Sequence, residues 1–146
     1  MLTPFRFERG PRMSAPDSPV VYESEVTQVG GQVEAFLGHG LLIFFGDQSP
    51  AELHDISVLH KAAVAEDGPQ TGDLIQVGNT EVEVLAVGPV VRDNLLNLGH
   101  LDLKADGRTE PKLPGDVCVR VGDLPLLDVG DTFRITRPGT SKEQDQ

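Results

Sequence analysis

The groups able to do chemistry in this chain reduce to four histidines, one cysteine and scattered carboxylates. No glycine loop ending in Lys-Ser/Thr cradles a phosphate, no strand-turn-helix serine offers a nucleophile, and no His pair has zincin spacing. His39 lies in Gly38-His39-Gly40 and reads as a solvated turn residue. His54 follows the short Pro50–Leu53 turn and reads as exposed. His60 differs. It ends the pattern Ile56, Val58, His60, which sets its imidazole on one face with two apolar residues if the stretch is a strand. The spacing expects it exposed at a strand mouth. His100 follows Gly99, where a short helix turns into Leu101-Asp102-Leu103, and bonding a loop carbonyl is its plain role. A metal site from His54, His60 and His100 is the alternative use of these side chains. The His54-to-His60 gap fits no standard helix or strand chelate, and no cysteine helps. Cys118 sits mid-strand with no His beside it in sequence, as a structural thiol would.

The elements that must position these groups are mostly strands. Val82, Val84 and Ala86 alternate with Glu81, Glu83 and Leu85; Val117, Val119 and Val121 alternate with Cys118 and Arg120. Phe133 and Ile135 alternate with Thr132, Arg134 and Thr136, while Val20, Tyr22 and Val26 share a face. Leu41–Phe45 suits a strand buried on both sides. Gly72-Asp73, Gly115-Asp116 and Gly130-Asp131 each mark a strand entry, glycine supplying the turn and aspartate bonding nearby amides. Helical signals are short: Gly31–Leu37; Ser49-Pro50-Ala51-Glu52, with a capping serine; and Asp93–Gly99, with a capping Asp and a terminating Gly. Short strands, frequent turns and no long helix predict a mainly β fold, a small antiparallel β-barrel or sandwich with two or three short helices.

Residues 1–19 interleave Arg6, Arg9 and Arg12 with four prolines and read as a disordered arm; 137–146 reads as a solvated tail, leaving 20–136 as the folded domain. With 146 residues, one domain suffices. The balance of 12 basic against 23 acidic groups, a net charge of -11, disfavours nucleic acid and anionic lipid as partners. A single cysteine excludes an internal disulfide, and the longest apolar run is far short of a membrane span. These features predict a soluble, cytoplasmic protein.

Further residues carry a family resemblance. Ala86-Val87-Gly88, Asp93-Asn94-Leu95, Leu98-Gly99-His100, Leu103 and Asp106-Gly107 form its most specific stretch. Thr27-x-Val29-Gly30, Leu42–Phe44, Pro50-Ala51-Glu52-Leu53, Leu59-His60 and Pro114-Gly115 add to it in order. From Val20 to Thr136 the chain resembles the IIA component of the glucitol/sorbitol-type bacterial sugar phosphotransferase system. The resemblance implies a small β-barrel that acts as a phosphocarrier. A histidine accepts a phosphoryl group from the carrier HPr and passes it to a IIB component for hexitol uptake, with the membrane IIC component involved only indirectly. The family's phosphorylated histidine falls on His60, and the resemblance requires no metal, nucleotide or other cofactor. Imidazole suits the task, because a pKa near ~6.5 leaves one ring nitrogen nucleophilic at neutral pH. Family members often carry a second His two residues later, where this chain has Ala62, so a supporting role would move to His100 or Lys61. His100 is thus a candidate supporting donor across a barrel mouth. The alternative is a non-catalytic regulatory or ligand-binding barrel of the same ancestry.

Overall fold

The computed structural model describes residues 18–122 and 124–138. The arm over 1–19 and the tail over 137–146 lie outside these residues except for Ser18, Pro19, Arg137 and Pro138. Alternating apolar residues build eight strands: β1 (Val20–Val29), β2 (Leu41–Gly46), β3 (Val58–Ala65), β4 (Leu74–Val77), β5 (Thr80–Val87), β6 (Leu101–Lys104), β7 (Asp116–Val119) and β8 (Thr132–Thr136). Helices α1 (Val33–Leu37) and α2 (Val91–Leu98) and a 3₁₀ turn (Ala51–Ile56) stand between them. The strands close into a barrel in the order β1-β3-β2-β6-β7-β5-β4-β8, with β8 returning to β1. Closure removes the unpaired edges that an open sheet of this size would expose.

The barrel is the mainly β fold that the alternation predicts, with one difference. Two of its eight pairings, β2–β3 and β6–β7, are parallel rather than antiparallel. Parallel neighbours need a crossover instead of a hairpin. Residues 47–57, carrying the 3₁₀ turn, make the first crossover, and residues 105–115 make the second.

Inward-facing residues of every strand fill the interior: Tyr22 and Val26, Leu42 and Phe44, Val58, Ile75 and Val77, Val84 and Ala86, Leu101 and Leu103, Val117 and Val119, Phe133 and Ile135. β2 alternates instead of being buried on both faces. Leu42 and Phe44 are buried, while Leu41, Ile43 and Phe45 are only half-covered, because α1 and α2 cap part of its outer side. The strand at Val117 stops at Val119, and Val121 is exposed. Asp93 lies in the first turn of α2 rather than capping it. Ser49 makes no cap for the 3₁₀ turn, whose cap position is taken by Pro50.

Gly72-Asp73, Gly115-Asp116 and Gly130-Asp131 stand at strand entries, and their aspartates do the same job. Asp73 accepts the Gln70 amide at 2.8 Å, Asp116 the Leu113 amide at 3.0 Å and Asp131 the Asp128 amide at 2.8 Å. A carboxylate satisfying an amide three residues upstream holds each turn closed before its strand begins. The end of β8 is also tied down. Arg137 is fixed by Asp73 at 3.0 Å, Asp67 at 2.9 Å and the Gly68 carbonyl at 2.8 Å, and its amide donates to the Pro19 carbonyl. The Asp67 carboxyl is held down at about 2, chiefly by its hydrogen bond to Arg137.

Candidate functional site

His60 is the third residue of β3, and β3 lies between β1 and β2 in the barrel wall. Strand parity turns its ring inward with Val58. The expectation of an exposed histidine at a strand mouth is therefore corrected: His60 is 2% exposed. Flanking strands and barrel closure bury it, and neither can be read from the Ile56-Val58-His60 alternation alone. Its ring centroid lies 5.3 Å from that of Phe44, 5.8 Å from Phe133 and 6.0 Å from Tyr22.

Both ring nitrogens are engaged. Nε2 lies 2.7 Å from the Gly99 carbonyl oxygen and Nδ1 lies 2.6 Å from the Ser24 Oγ. A carbonyl can only accept, so Nε2 carries the proton and donates it, while the Ser24 hydroxyl donates to the lone pair of Nδ1. Burial lowers the His60 pKa below its ordinary value, against the opposing pull of the Gly99 bond and the Asp47 carboxylate. The imidazole is thus neutral at pH 7.

Two local features aim these partners. The β1–β3 register slips between Glu23 and Ser24, and such a bulge redirects a side chain. Gly99 closes α2 in the left-handed conformation at φ 66°, which glycine adopts without strain. Its amide returns to the Leu95 carbonyl at 2.9 Å, and the His100 amide to Asn94 at 3.2 Å. A Cβ on Gly99 would meet the Gly46 amide nitrogen at 2.6 Å and His60 Nε2 at 3.3 Å. Only glycine lets the helix end approach both.

A cavity of about 480 Å³ opens over His60. Tyr22, Phe45, Leu53, Ala62 and Leu98 supply its apolar wall, and Asp47, Gln48, Ser49 and Asn97 its polar one. Lys61 is the only lysine or arginine among its described lining residues. The Ser49 Oγ is buried and has no hydrogen-bond partner among the described residues. Leu98, at the rim, is 55% exposed.

His100 points elsewhere. Its ring stacks on Phe45 with centroids 4.1 Å apart, Nδ1 donates to the Phe44 carbonyl at 3.2 Å, and Nε2 lies 3.9 Å from Asp102. It is not among the residues lining the cavity. His54 is half-buried rather than exposed, its Nε2 donating to the Ser49 carbonyl at 2.9 Å, and His39 is exposed as expected. Among the described residues no group of three or more His, Cys, Asp or Glu could hold a metal ion. Cys118 is buried, and burial followed by the Asp106 carboxylate pushes its thiol up to about 11, far from a reactive thiolate.

Sequence reasoning singles out His60 but gives no sign of Ser24 or the Gly99 carbonyl as partners of its ring. Gly99 sits inside the most specific stretch of the resemblance. Ser24 follows Glu23 in a strand of ordinary alternation and carries no local signal.

Residues 21–134 match the family model of the glucitol/sorbitol-specific IIA component of the phosphotransferase system. The chain is 33% identical over 106 residues to the glucitol/sorbitol-specific EIIA component of Shigella flexneri, covering 73% of this chain and 85% of that protein. The corresponding component of Escherichia coli K12 matches with the same identity and coverage. Among solved structures, a phosphotransferase-system IIA component from Enterococcus faecalis V583 superposes with a TM-score of 0.64 at 21% identity, over 76% of this chain and 96% of that one. That likeness concerns the fold.

Proposed function

Because the chain belongs to the glucitol/sorbitol-specific IIA components of the phosphotransferase system, we propose that it carries a phosphoryl group on His60, taking it from phospho-HPr and handing it to a IIB component. The observation that supports this most is a neutral imidazole at the floor of an open cavity, with its tautomer set by one backbone carbonyl and one hydroxyl. A nucleophilic nitrogen needs a lone pair, and a lowered pKa keeps one on the ring below neutral pH. Donor and acceptor are both phosphoimidazoles in the first step, so the transfer needs little driving force. Catalysis reduces to in-line positioning and to donors for the phosphoryl oxygens. Lys61 supplies positive charge at the cavity, with Gln48, Ser49 and Asn97 as neutral donors. The half-covered Phe45, the exposed Pro50 and Leu98 give the rim an apolar edge suited to a protein partner.

Mixing the chain with phosphoenolpyruvate, enzyme I and HPr tests the first step, and adding a IIB component to the repurified phosphoprotein tests the second. The label is expected to be acid-labile and base-stable, and to leave for IIB. A chain that takes no label from phospho-HPr fits the non-catalytic barrel instead.

A further inference from the structure

Tyr22 stands on β1 with its ring 6.0 Å from that of His60 and 6.0 Å, edge to face, from that of Phe133. A phenylalanine would pack there equally well, yet the chain places a hydroxyl on a residue only 2% exposed. A buried phenol ordinarily finds a hydrogen-bond partner, because leaving one unmet costs stability. The Tyr22 hydroxyl is bonded to no other described residue, and unlike the Ser49 Oγ it is not sealed from solvent. Tyr22 and His60 line the same cavity, so this hydroxyl opens into the space over the imidazole. Its partner across β3 is Ala65, and Ala62 and Ala65 keep that stretch of the wall small. Burial alone pushes the phenol up to about 12, so it remains a donor throughout the neutral range. The other polar groups of the wall are less suited to holding an anion. Asp47 carries like charge, the Ser49 Oγ is buried, and Gln48, Lys61 and Asn97 are exposed chains that must first be ordered.

Resting on the phosphocarrier reading, we infer that the Tyr22 hydroxyl donates a hydrogen bond to an oxygen of the phosphoryl group carried on His60. The phenol keeps its proton; it lends a dipole and takes no part in bond making or breaking. Packing between the rings of His60 and Phe133 fixes the donor before the group arrives, so little reorganisation is needed when charge enters the cavity. Against a wall rich in apolar residues such a bond is worth more than it would be in water. The bond lasts as long as the phosphohistidine and is given up when the group leaves.

Tyr22→Phe removes the hydroxyl and keeps the ring, which allows a test in the full chain. Labelling of His60 is timed in wild type and variant with two donors, phospho-HPr and phosphoramidate, a small phosphoryl donor that needs no HPr. Both proteins are also melted. The variant is expected to melt no lower than wild type, since no bond within the described chain is lost. It should take label from either donor about 10- to 100-fold more slowly, the range for one hydrogen bond to a charged group. An unchanged labelling rate overturns the inference. A lowered melting temperature does so too, because it would mark the hydroxyl as structural, and so does a wild-type His60 that phosphoramidate fails to label. Slowed labelling of the variant by phosphoramidate, with no label reaching either protein from phospho-HPr, would instead refute the phosphocarrier reading and leave Tyr22 standing as a phosphoryl-binding residue.

Discussion

At His60 burial and the proposed phosphoryl transfer act on the same ring. An imidazole buried among Tyr22, Phe44 and Phe133 resists protonation, so its pKa in the folded chain falls below the unfolded value of about 6.5. Between those two values the unfolded chain binds more protons than the native one. The stability that neutral His60 contributes is complete above the unfolded pKa and is lost as pH falls toward the folded one. Thermal melts should therefore show stability falling as the pH drops below the ordinary imidazole range of about 6.5, and falling less in His60→Gln. Equal drops in the two proteins would show that other groups govern the acid side. Burial also changes the choice of variant. His60→Ala would leave a cavity between three rings and strip both Ser24 and the Gly99 carbonyl of their partner, at a cost of several kcal/mol. Glutamine keeps a donor and most of the volume. The sequence supports His60 as an inward-facing residue by parity, but its depth depends on the strands on either side, which no local pattern encodes.

Among the elements, the β6 entry and the close of β8 show how side chains brace the barrel. His100 ties the start of β6 to β2 through the Phe44 carbonyl and the face of Phe45. His100→Gln should cost about 1 kcal/mol in stability, the net worth of one hydrogen bond, and leave phosphoryl transfer at its normal rate. Slowed transfer at an unchanged melting temperature would make His100 a donor to the phosphoryl group after all. Arg137 does comparable work at the other end, bridging β8 to Asp67 and to Asp73, whose side chain is nearly inaccessible. Arg137→Ala should lower stability by about 1.5–3 kcal/mol, as expected when hydrogen bonds to buried charge are lost. Denaturant unfolding checks it; a shift within about 0.5 kcal/mol would return Arg137 to the class of surface residues. The Gly-Asp entries of β4, β7 and β8 were legible, because turn chemistry is local. The bond of Arg137 to residues about 64 positions away in sequence was not.

Across the whole molecule, alternation identifies the strands but leaves their order open. Hairpin reasoning favours antiparallel neighbours, yet β2 and β3 run parallel around the 3₁₀ turn, and that crossover carries Asp47, Ser49 and Leu53 to the cavity above His60. The barrel brings Ser24 of β1, His60 of β3 and Gly99 at the end of α2 to one point from three distant parts of the chain. A site of this kind is visible in sequence only through its family resemblance. The most direct test of the account is phosphosite mapping by mass spectrometry after incubation with phosphoenolpyruvate, enzyme I and HPr, under base-stable conditions, on the wild-type chain and on His60→Gln. The account predicts one phosphohistidine, at His60, and no incorporation into a folded His60→Gln protein. A phosphoryl group on His39, His54 or His100, or labelling that survives in the variant, would contradict it.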